Sequence, residues 1–199
     1  MGEYKTLKQK MQNPDDDQLL LYNEDFDQEY YKRMHNFRNY VTNFIKKNKL
    51  VKGAELGVRV GGLLFKLLDN CPDLTHIFAI DSWEDNKADD GFKFDHEAYE
   101  LNVRNKAKNY GNRVTIIKGY TNRVHHLIHN DSLDFIFIDA DHSYNNCKQD
   151  IVQWKPKVKK GGWLIGDDIE RCLGVRKAVD ELLPGWELAS PNVWLKQNN

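Results

Sequence analysis

Two apolar runs of this chain end on clustered carboxylates: Leu133-Asp134-Phe135-Ile136-Phe137-Ile138-Asp139-Ala140-Asp141-His142 and Gly161-Gly162-Trp163-Leu164-Ile165-Gly166-Asp167-Asp168. As strands of one parallel sheet, both would deliver their acids to the same carboxyl edge, where open α/β folds bind ligands. Three bare anions there, Asp139, Asp167 and Asp168, would repel and raise one another's pKa. A hard cation relieves that repulsion, and an all-oxygen ligand set favours magnesium, manganese or calcium over zinc. His142, three residues beyond Asp139, adds to the same edge a group that titrates near neutral pH. The competing reading makes Asp167-Asp168 a helix-capping turn and His142 a solvated loop residue. Asp141 reads either as a further ligand or as the cap of a helix beginning near Ser143, and the cap is the simpler assignment.

A second feature with chemical meaning is Glu55-Leu56-Gly57-Val58-Arg59-Val60-Gly61-Gly62, followed by Leu63-Leu64-Phe65-Lys66-Leu67-Leu68. A glycine-rich turn between strand and helix lets a ligand approach the backbone and aims the helix N-terminal amides at it. A dinucleotide fingerprint requires Gly-x-Gly-x-x-Gly, but Arg59 stands where the second glycine would admit pyrophosphate. No Gly-x-x-x-x-Gly-Lys-Ser/Thr phosphate loop is present either. A nucleoside ligand without phosphates fits the turn better. Asp81 closes the next strand-like run, where a carboxylate can accept hydrogen bonds from ribose hydroxyls.

The elements that must carry these residues are legible as alternation. Ala54 to Val58, Ile77 to Ile80, Val114 to Ile117, Phe135 to Ile138 and Trp163 to Ile165 read as buried strands, separated by segments long enough for crossover helices. Trp186 to Ser190 and Val193 to Lys196 flank the turn Pro191-Asn192 and predict a closing hairpin. The expected fold is α/β: a Rossmann-like, doubly wound, mostly parallel seven-stranded sheet with a C-terminal antiparallel hairpin. Residues 51–199 form that domain, and residues 1–50 a polar tail followed by an amphipathic helix. Met34, Phe37, Val41, Phe44 and Ile45 share one helical face, which covers the sheet, caps a substrate or makes a homo-oligomer interface. The long, charged connection from Asp81 to Tyr110, with Trp83, Phe92, Phe94 and Tyr99, reads as a lid.

Composition narrows the class further. A chain of 199 residues, 40% hydrophobic and 30% charged with net charge -1, suits one globular domain and gives no electrostatic reason to expect nucleic acid or a membrane as partner. No apolar stretch is long enough to span a bilayer. Cys71, Cys147 and Cys172 are scattered, which encodes neither a disulfide framework nor a zinc ribbon and is expected of reduced thiols in a cytoplasmic protein. His125, His126 and His129 lack the glutamate of a metalloprotease motif, and Lys155, Lys157, Lys159 and Lys160 read as a solvated basic face.

In order, Glu55-x-Gly57-x-x-x-Gly61, Asp81 ending the second strand, Phe137-Ile138-Asp139 ending the fourth, and the final hairpin resemble the class I S-adenosylmethionine-dependent methyltransferases. The resemblance runs from Val51 to Lys196. It implies a transferase of one-carbon groups with S-adenosylmethionine as cofactor: Gly57 and Gly61 cradle its methionine part, Glu55 orders that turn, and Asp81 holds the ribose. Ser82, Trp83, Tyr120, Thr121 and Asp139 are implied to line the rest of the cofactor site. Asp139 with Asp167-Asp168 is similar to the metal-dependent O-methyltransferases. Their catechol-type members carry Asp-Asn and a lysine base, and their macrolide-sugar members Asp-Asp and a histidine. That similarity implies that Asp139, Asp167 and Asp168 hold a divalent ion, magnesium first, with manganese or calcium as alternatives. It also implies that His142 is the base, beside Asp139, toward a hydroxyl of a small molecule or sugar. A metal-independent methyltransferase using His142 with Asp141 and a non-catalytic nucleoside-binding module are the alternative readings.

Overall fold

The structure, a computed structural model, describes residues 36–84 and 95–199. The expected N-terminal tail, Met34, Phe92 and Phe94 lie outside the described residues. The strands are β1 (Lys52–Leu56), β2 (His76–Asp81), β3 (Val114–Lys118), β4 (Leu133–Ile138), β5 (Val158–Gly166), β6 (Glu187–Ser190) and β7 (Val193–Gln197). They form a seven-stranded sheet in the order β3-β2-β1-β4-β5-β7-β6. The first five strands run parallel, and β7 lies antiparallel between β5 and β6. The doubly wound sheet and its closing hairpin therefore match the sequence expectation.

The helices are α1 (Phe37–Lys47), α2 (Gly62–Asn70), α3 (His96–Ala107), α4 (Thr121–Val124), α5 (Tyr144–Trp154) and α6 (Leu173–Leu182). They cover both faces of the sheet, so alternate residues of one strand serve two cores. Phe135 and Phe137 of β4 join Val41, Ile45, Leu64 and Leu67 from α1 and α2. Ile136 and Ile138 join Ile151, Trp154, Val175 and Val179 from α5 and α6. A central strand buried on both sides has no polar alternation, which is why β4 reads as a continuous apolar run.

α1 lies against the sheet. Phe37, Val41 and Ile45 are buried, the Phe37 ring stacks parallel to Phe137 with centroids 6.0 Å apart, and Phe44 meets Trp163 edge-on at 5.0 Å. The apolar face of α1 is spent on the sheet. The expected lid is corrected in part: Asp95 accepts from the Ala98 amide at 2.9 Å and caps α3, a crossover helix that buries Val103 and Ala107. Tyr99 packs against the same core. The basic run is corrected at Lys157 alone; Lys155, Lys159 and Lys160 are exposed, as a solvated face requires. Lys157 is buried and donates to Asn130 Oδ1 at 2.8 Å, and Lys159 pairs with Asp134 at 2.7 Å. Asp134 in turn accepts the Val51 and Lys52 amides at 2.9 and 2.8 Å, so this charge pair fixes the start of β1. Among the described residues no helix is long and apolar enough to cross a membrane.

After β3 the chain crosses back over β1 to enter β4, and this reversal of strand order opens a crevice at the carboxyl ends of β1 and β4. Phe37 anchors α1 on Phe137, near the carboxyl end of β4. Phe37→Ala should destabilise the protein by about 3–5 kcal/mol, the range for removing a buried aromatic ring, measurable as a lower urea midpoint.

Candidate active site

β1 leaves the sheet through the glycine turn. The Gly57 amide donates to the Ile80 carbonyl at 2.9 Å, continuing the β1–β2 ladder one residue past the strand. Its φ is +90°, and a Cβ there would stand 2.0 Å from the Asp139 carbonyl oxygen. Only glycine lets the exit of β1 pass this closely over the exit of β4. Gly61, with φ +77°, then caps α2. Asp81 closes the loop from the other side: Oδ2 accepts the Arg59 amide and Oδ1 the Trp83 amide, both at 2.7 Å. The Trp83 indole donates to the Arg59 carbonyl at 2.9 Å, with its ring buried. Asp81 and Trp83 thus tie the turn to the end of β2, and each Asp81 oxygen keeps acceptor capacity for a further donor. Ser82 Oγ accepts the Glu84 amide at 3.3 Å, and Tyr120 donates its hydroxyl to Glu84 Oε2 at 2.6 Å. Ser82 and Tyr120 are therefore joined through Glu84. Thr121 begins α4, and its carbonyl accepts the Trp154 indole at 3.2 Å.

The acids of β4 and β5 come together as the strand ends predict. Asp139 donates its amide to Leu56 O at 2.9 Å and Asp167 to Ile138 O at 3.3 Å, so the sheet ladder itself sets their positions. Ligand atoms of Asp139, Asp167 and Asp168 all lie within 4.8 Å of one another. Asp167 Oδ1 is buried without a hydrogen-bond partner. Burial, reinforced by Asp139 and Asp168, pushes Asp167 up to about 9. Withdrawal from water and the Asp168 charge likewise raise Asp139, against the opposing hydrogen bond from His142. His142 Nε2 lies 3.4 Å from Asp139 Oδ1 and 3.2 Å from Asp168 Oδ2. Burial alone would depress this imidazole, but the Asp139 carboxylate, the Cys172 side chain and Asp168 outweigh it and hold it well above its ordinary value. Asp141 Oδ1 accepts the Ser143 amide at 2.8 Å, an Asx turn ahead of α5; the N-cap of α5 is Ser143, so the expected capping role of Asp141 is corrected to that of the preceding turn. Among the described residues His125, His126 and His129 belong to no cluster of metal-ligating groups.

Residues 54–169 match a family model described as a methyltransferase domain. The chain belongs to that family. Comparison with curated proteins finds no match. Among solved structures, the fold is similar to that of the O-methyltransferase NovP, at 21% identity and TM-score 0.60 over 84% of this chain and 80% of that one. It is similar to a TDP-rhamnose 3'-O-methyltransferase of calicheamicin biosynthesis, at 14% identity and TM-score 0.62 over 86% and 83% of the two chains. An O-methyltransferase from Bacillus cereus in complex with SAH aligns at 14% identity and TM-score 0.59 over 81% and 80%. At such identities these likenesses show a shared fold. With the family model they make the protein an S-adenosylmethionine-dependent methyltransferase.

Two further residues beside these clusters carry no sequence motif. Arg38 reaches from α1 over the start of α2, with its Nε 2.9 Å from where a Cβ on Gly62 would stand. That Nε is buried without a partner, and its charge acts on both Glu55 and Asp139. Glu55 is 2% exposed, its Oε2 is also without a partner, and burial holds its carboxyl well above the usual range. A buried donor and a buried acceptor are thus both left open beside the glycine turn. The second residue is Cys172, the N-cap of α6, whose buried sulfur joins His142 and Asp168 in a group with ligand atoms within 4.8 Å. Arg38 lies one residue beyond Phe37, off the apolar face, and only the packing of α1 on the sheet reveals where it points.

Because Asp167 is shifted upward, the native protein holds its proton more tightly than the unfolded chain between the ordinary value of 3.8 and the folded value of about 9. Stability from this group is therefore full at low pH and lost as pH rises through that window. In the metal-free methyltransferase, Asp167→Asn should unfold at a higher urea midpoint than wild type at about pH 8, with the gap narrowing toward about pH 5. A wild-type advantage at about pH 8 would contradict the raised value.

Proposed function

We propose that this methyltransferase is a divalent-cation-assisted O-methyltransferase acting on a hydroxyl of a small molecule or sugar. The observation that carries this reading is the Asp139–Asp167–Asp168 cluster, with ligand atoms within 4.8 Å and one buried orphan oxygen, beside an imidazole at 3.2 and 3.4 Å. Three acids gathered this closely fit a hard cation with oxygen ligands. The O-methyltransferases that share the fold, one of them acting on TDP-rhamnose, support the oxygen acceptor, and the resemblance of His142 and Asp167-Asp168 to the macrolide-sugar pattern favours a sugar over a catechol.

The cofactor site fits a zwitterionic amino acid joined to a nucleoside. Arg38 offers the open donor for a carboxylate, and Glu55 the open acceptor for an ammonium group. Asp81 offers its remaining acceptor capacity to ribose hydroxyls, and Ser82 and Tyr120 extend the same wall. Residues 51–199 make up the catalytic domain in this reading, and α1 completes its cofactor site through Arg38. When bound, the cofactor supplies an electrophilic methyl group and the cation a positive charge that acidifies a neighbouring hydroxyl.

The remaining work falls to His142. Asp139 and Asp168, with Cys172, favour its charged form, so neutralising those carboxylates weakens its hold on the proton. The neutral ring can then accept the acceptor hydroxyl's proton at Nε2. Asp141 is engaged by the Ser143 amide, and the carboxylates nearest the imidazole are Asp139 and Asp168, which weighs against a metal-independent His142–Asp141 pair.

Asp168→Ala should keep S-adenosylhomocysteine affinity within about threefold by calorimetry while lowering magnesium-dependent methyl transfer about 100-fold or more, in line with losing a metal ligand. Transfer is read with labelled S-adenosylmethionine across catechol, sugar-nucleotide and macrolide-glycoside acceptors. Unchanged turnover in the variant, or full wild-type activity in excess chelator, would sink the cation role. Arg38→Met should weaken S-adenosylhomocysteine about 10- to 100-fold yet leave 5'-methylthioadenosine, which lacks the amino acid, within about twofold. An equal loss for both ligands would make Arg38 a structural residue only.

A further inference from the structure

We propose that His142, Asp168 and Cys172 form a second metal site, selective for thiophilic ions such as zinc, that overlaps the oxygen site through Asp168. The three offer nitrogen, oxygen and sulfur from ligand atoms lying within 4.8 Å of one another. Two ligand atoms each about 2.0–2.1 Å from a tetrahedral zinc stand about 3.3 Å apart. His142 Nε2 and Asp168 Oδ2 are 3.2 Å apart already. Magnesium and calcium take oxygen ligands, whereas thiolate and imidazole suit zinc and cobalt. Three protein ligands leave a fourth tetrahedral position open.

The backbone holds this set in place. Cys172 and Arg171 both donate their amides to the Asp168 carbonyl, at 2.9 and 3.2 Å, so sulfur and carboxylate belong to one closed turn. Asn192 braces that turn: its carbonyl accepts the Ile169 amide at 3.2 Å, and its own amide donates to Glu170 Oε2 at 2.8 Å. His142 comes from a different loop, and Gly174 brings the two together. A Cβ on Gly174 would stand 2.5 Å from both the His142 carbonyl and the Tyr144 amide nitrogen, so any side chain there would push α6 away from the histidine.

Zinc binding displaces the Cys172 thiol proton to solvent, and any proton on the coordinating imidazole nitrogen with it. The site stands on its own ligand geometry. Its consequence for catalysis rests on the function proposed above: an ion on His142 occupies the base, and its use of Asp168 sets zinc against magnesium.

Cobalt(II) titrated into the metal-free full-length chain tests the site without cofactor or acceptor. Wild type should develop a near-ultraviolet sulfur-to-cobalt charge-transfer band that zinc abolishes. Cys172→Ser should lose the band and bind zinc about 10- to 100-fold more weakly, with magnesium affinity unchanged. His142→Gln keeps the thiol and should weaken cobalt by a similar factor. Asp139→Asn should lose magnesium binding and keep the band. Cobalt bound without the band, a band that persists in Cys172→Ser, or no cobalt binding in wild type overturns the site. Absence of magnesium binding in wild type with the band intact overturns the oxygen-site reading instead and leaves this one standing.

Discussion

Four carboxylates, Glu55, Asp139, Asp167 and Asp168, converge where three adjacent strands end, and much of the surrounding structure answers their mutual repulsion. The convergence follows from register. Leu56 pairs with Ile138 and Ile138 with Gly166, so the residues that follow Ile138 and Gly166 leave the sheet at the same level. Parallel strands cannot stagger those ends without breaking the hydrophobic match of Phe135, Phe137 and Ile165 beneath them. The charge is then met by cations from outside the sheet: Arg38 from α1, His142 from the loop after β4, and Arg171 at 3.7 Å from Asp168. None of them pairs with the buried Oδ1 of Asp167. An uncompensated buried acceptor is costly, and the proposed cation would relieve that cost.

The two halves of the site are mechanically one. Gly57 passes over the Asp139 carbonyl so closely that a single added carbon would collide with it. Any shift of the glycine turn must therefore displace the first acid of the cluster, and any shift of Asp139 must disturb the turn. Asp81 and Trp83 fix the turn from the β2 side through two hydrogen bonds to Arg59, so the crossing has little freedom. Such a base positions a reacting methyl group against a hydroxyl better than two independent loops could, because misplacement of about 1 Å can reduce rate about 100-fold.

What the sequence discloses and what it hides divide along a physical line. Strands β1 to β5, the closing hairpin, Asp81 and the acids of β4 and β5 are properties of short local runs, and each lies where its run ends. Arg38, by contrast, belongs to a helix ahead of the first strand, and nothing in the spacing of Phe37, Val41 and Ile45 says which neighbour of the apolar stripe will lean over Gly62. Cys172 is hidden for a similar reason: its partner His142 is thirty residues away in sequence, and only Gly174 allows the two loops to touch. Lys157 misleads because its neighbours are lysines, although Asn130 holds its ammonium group in a buried position. The stretch from His96 to Ala107 misleads because it buries only Val103 and Ala107, so its charge reads as a loop.

His142 concentrates the consequences of this arrangement. Carboxylates on two sides favour its cation, yet the base role proposed for it requires a neutral ring when the acceptor arrives. Mutating the imidazole cannot resolve that conflict; changing the charge on Asp139 and Asp168 can. A hard ion held by oxygen alone would remove the negative charge and leave the ring free. A thiophilic ion would remove the same charge through Asp168 but occupy the ring as well. Under the proposed function, the ion that the cluster would accept therefore decides whether His142 serves as base or ligand, and Cys172 is the residue that makes the second outcome chemically available.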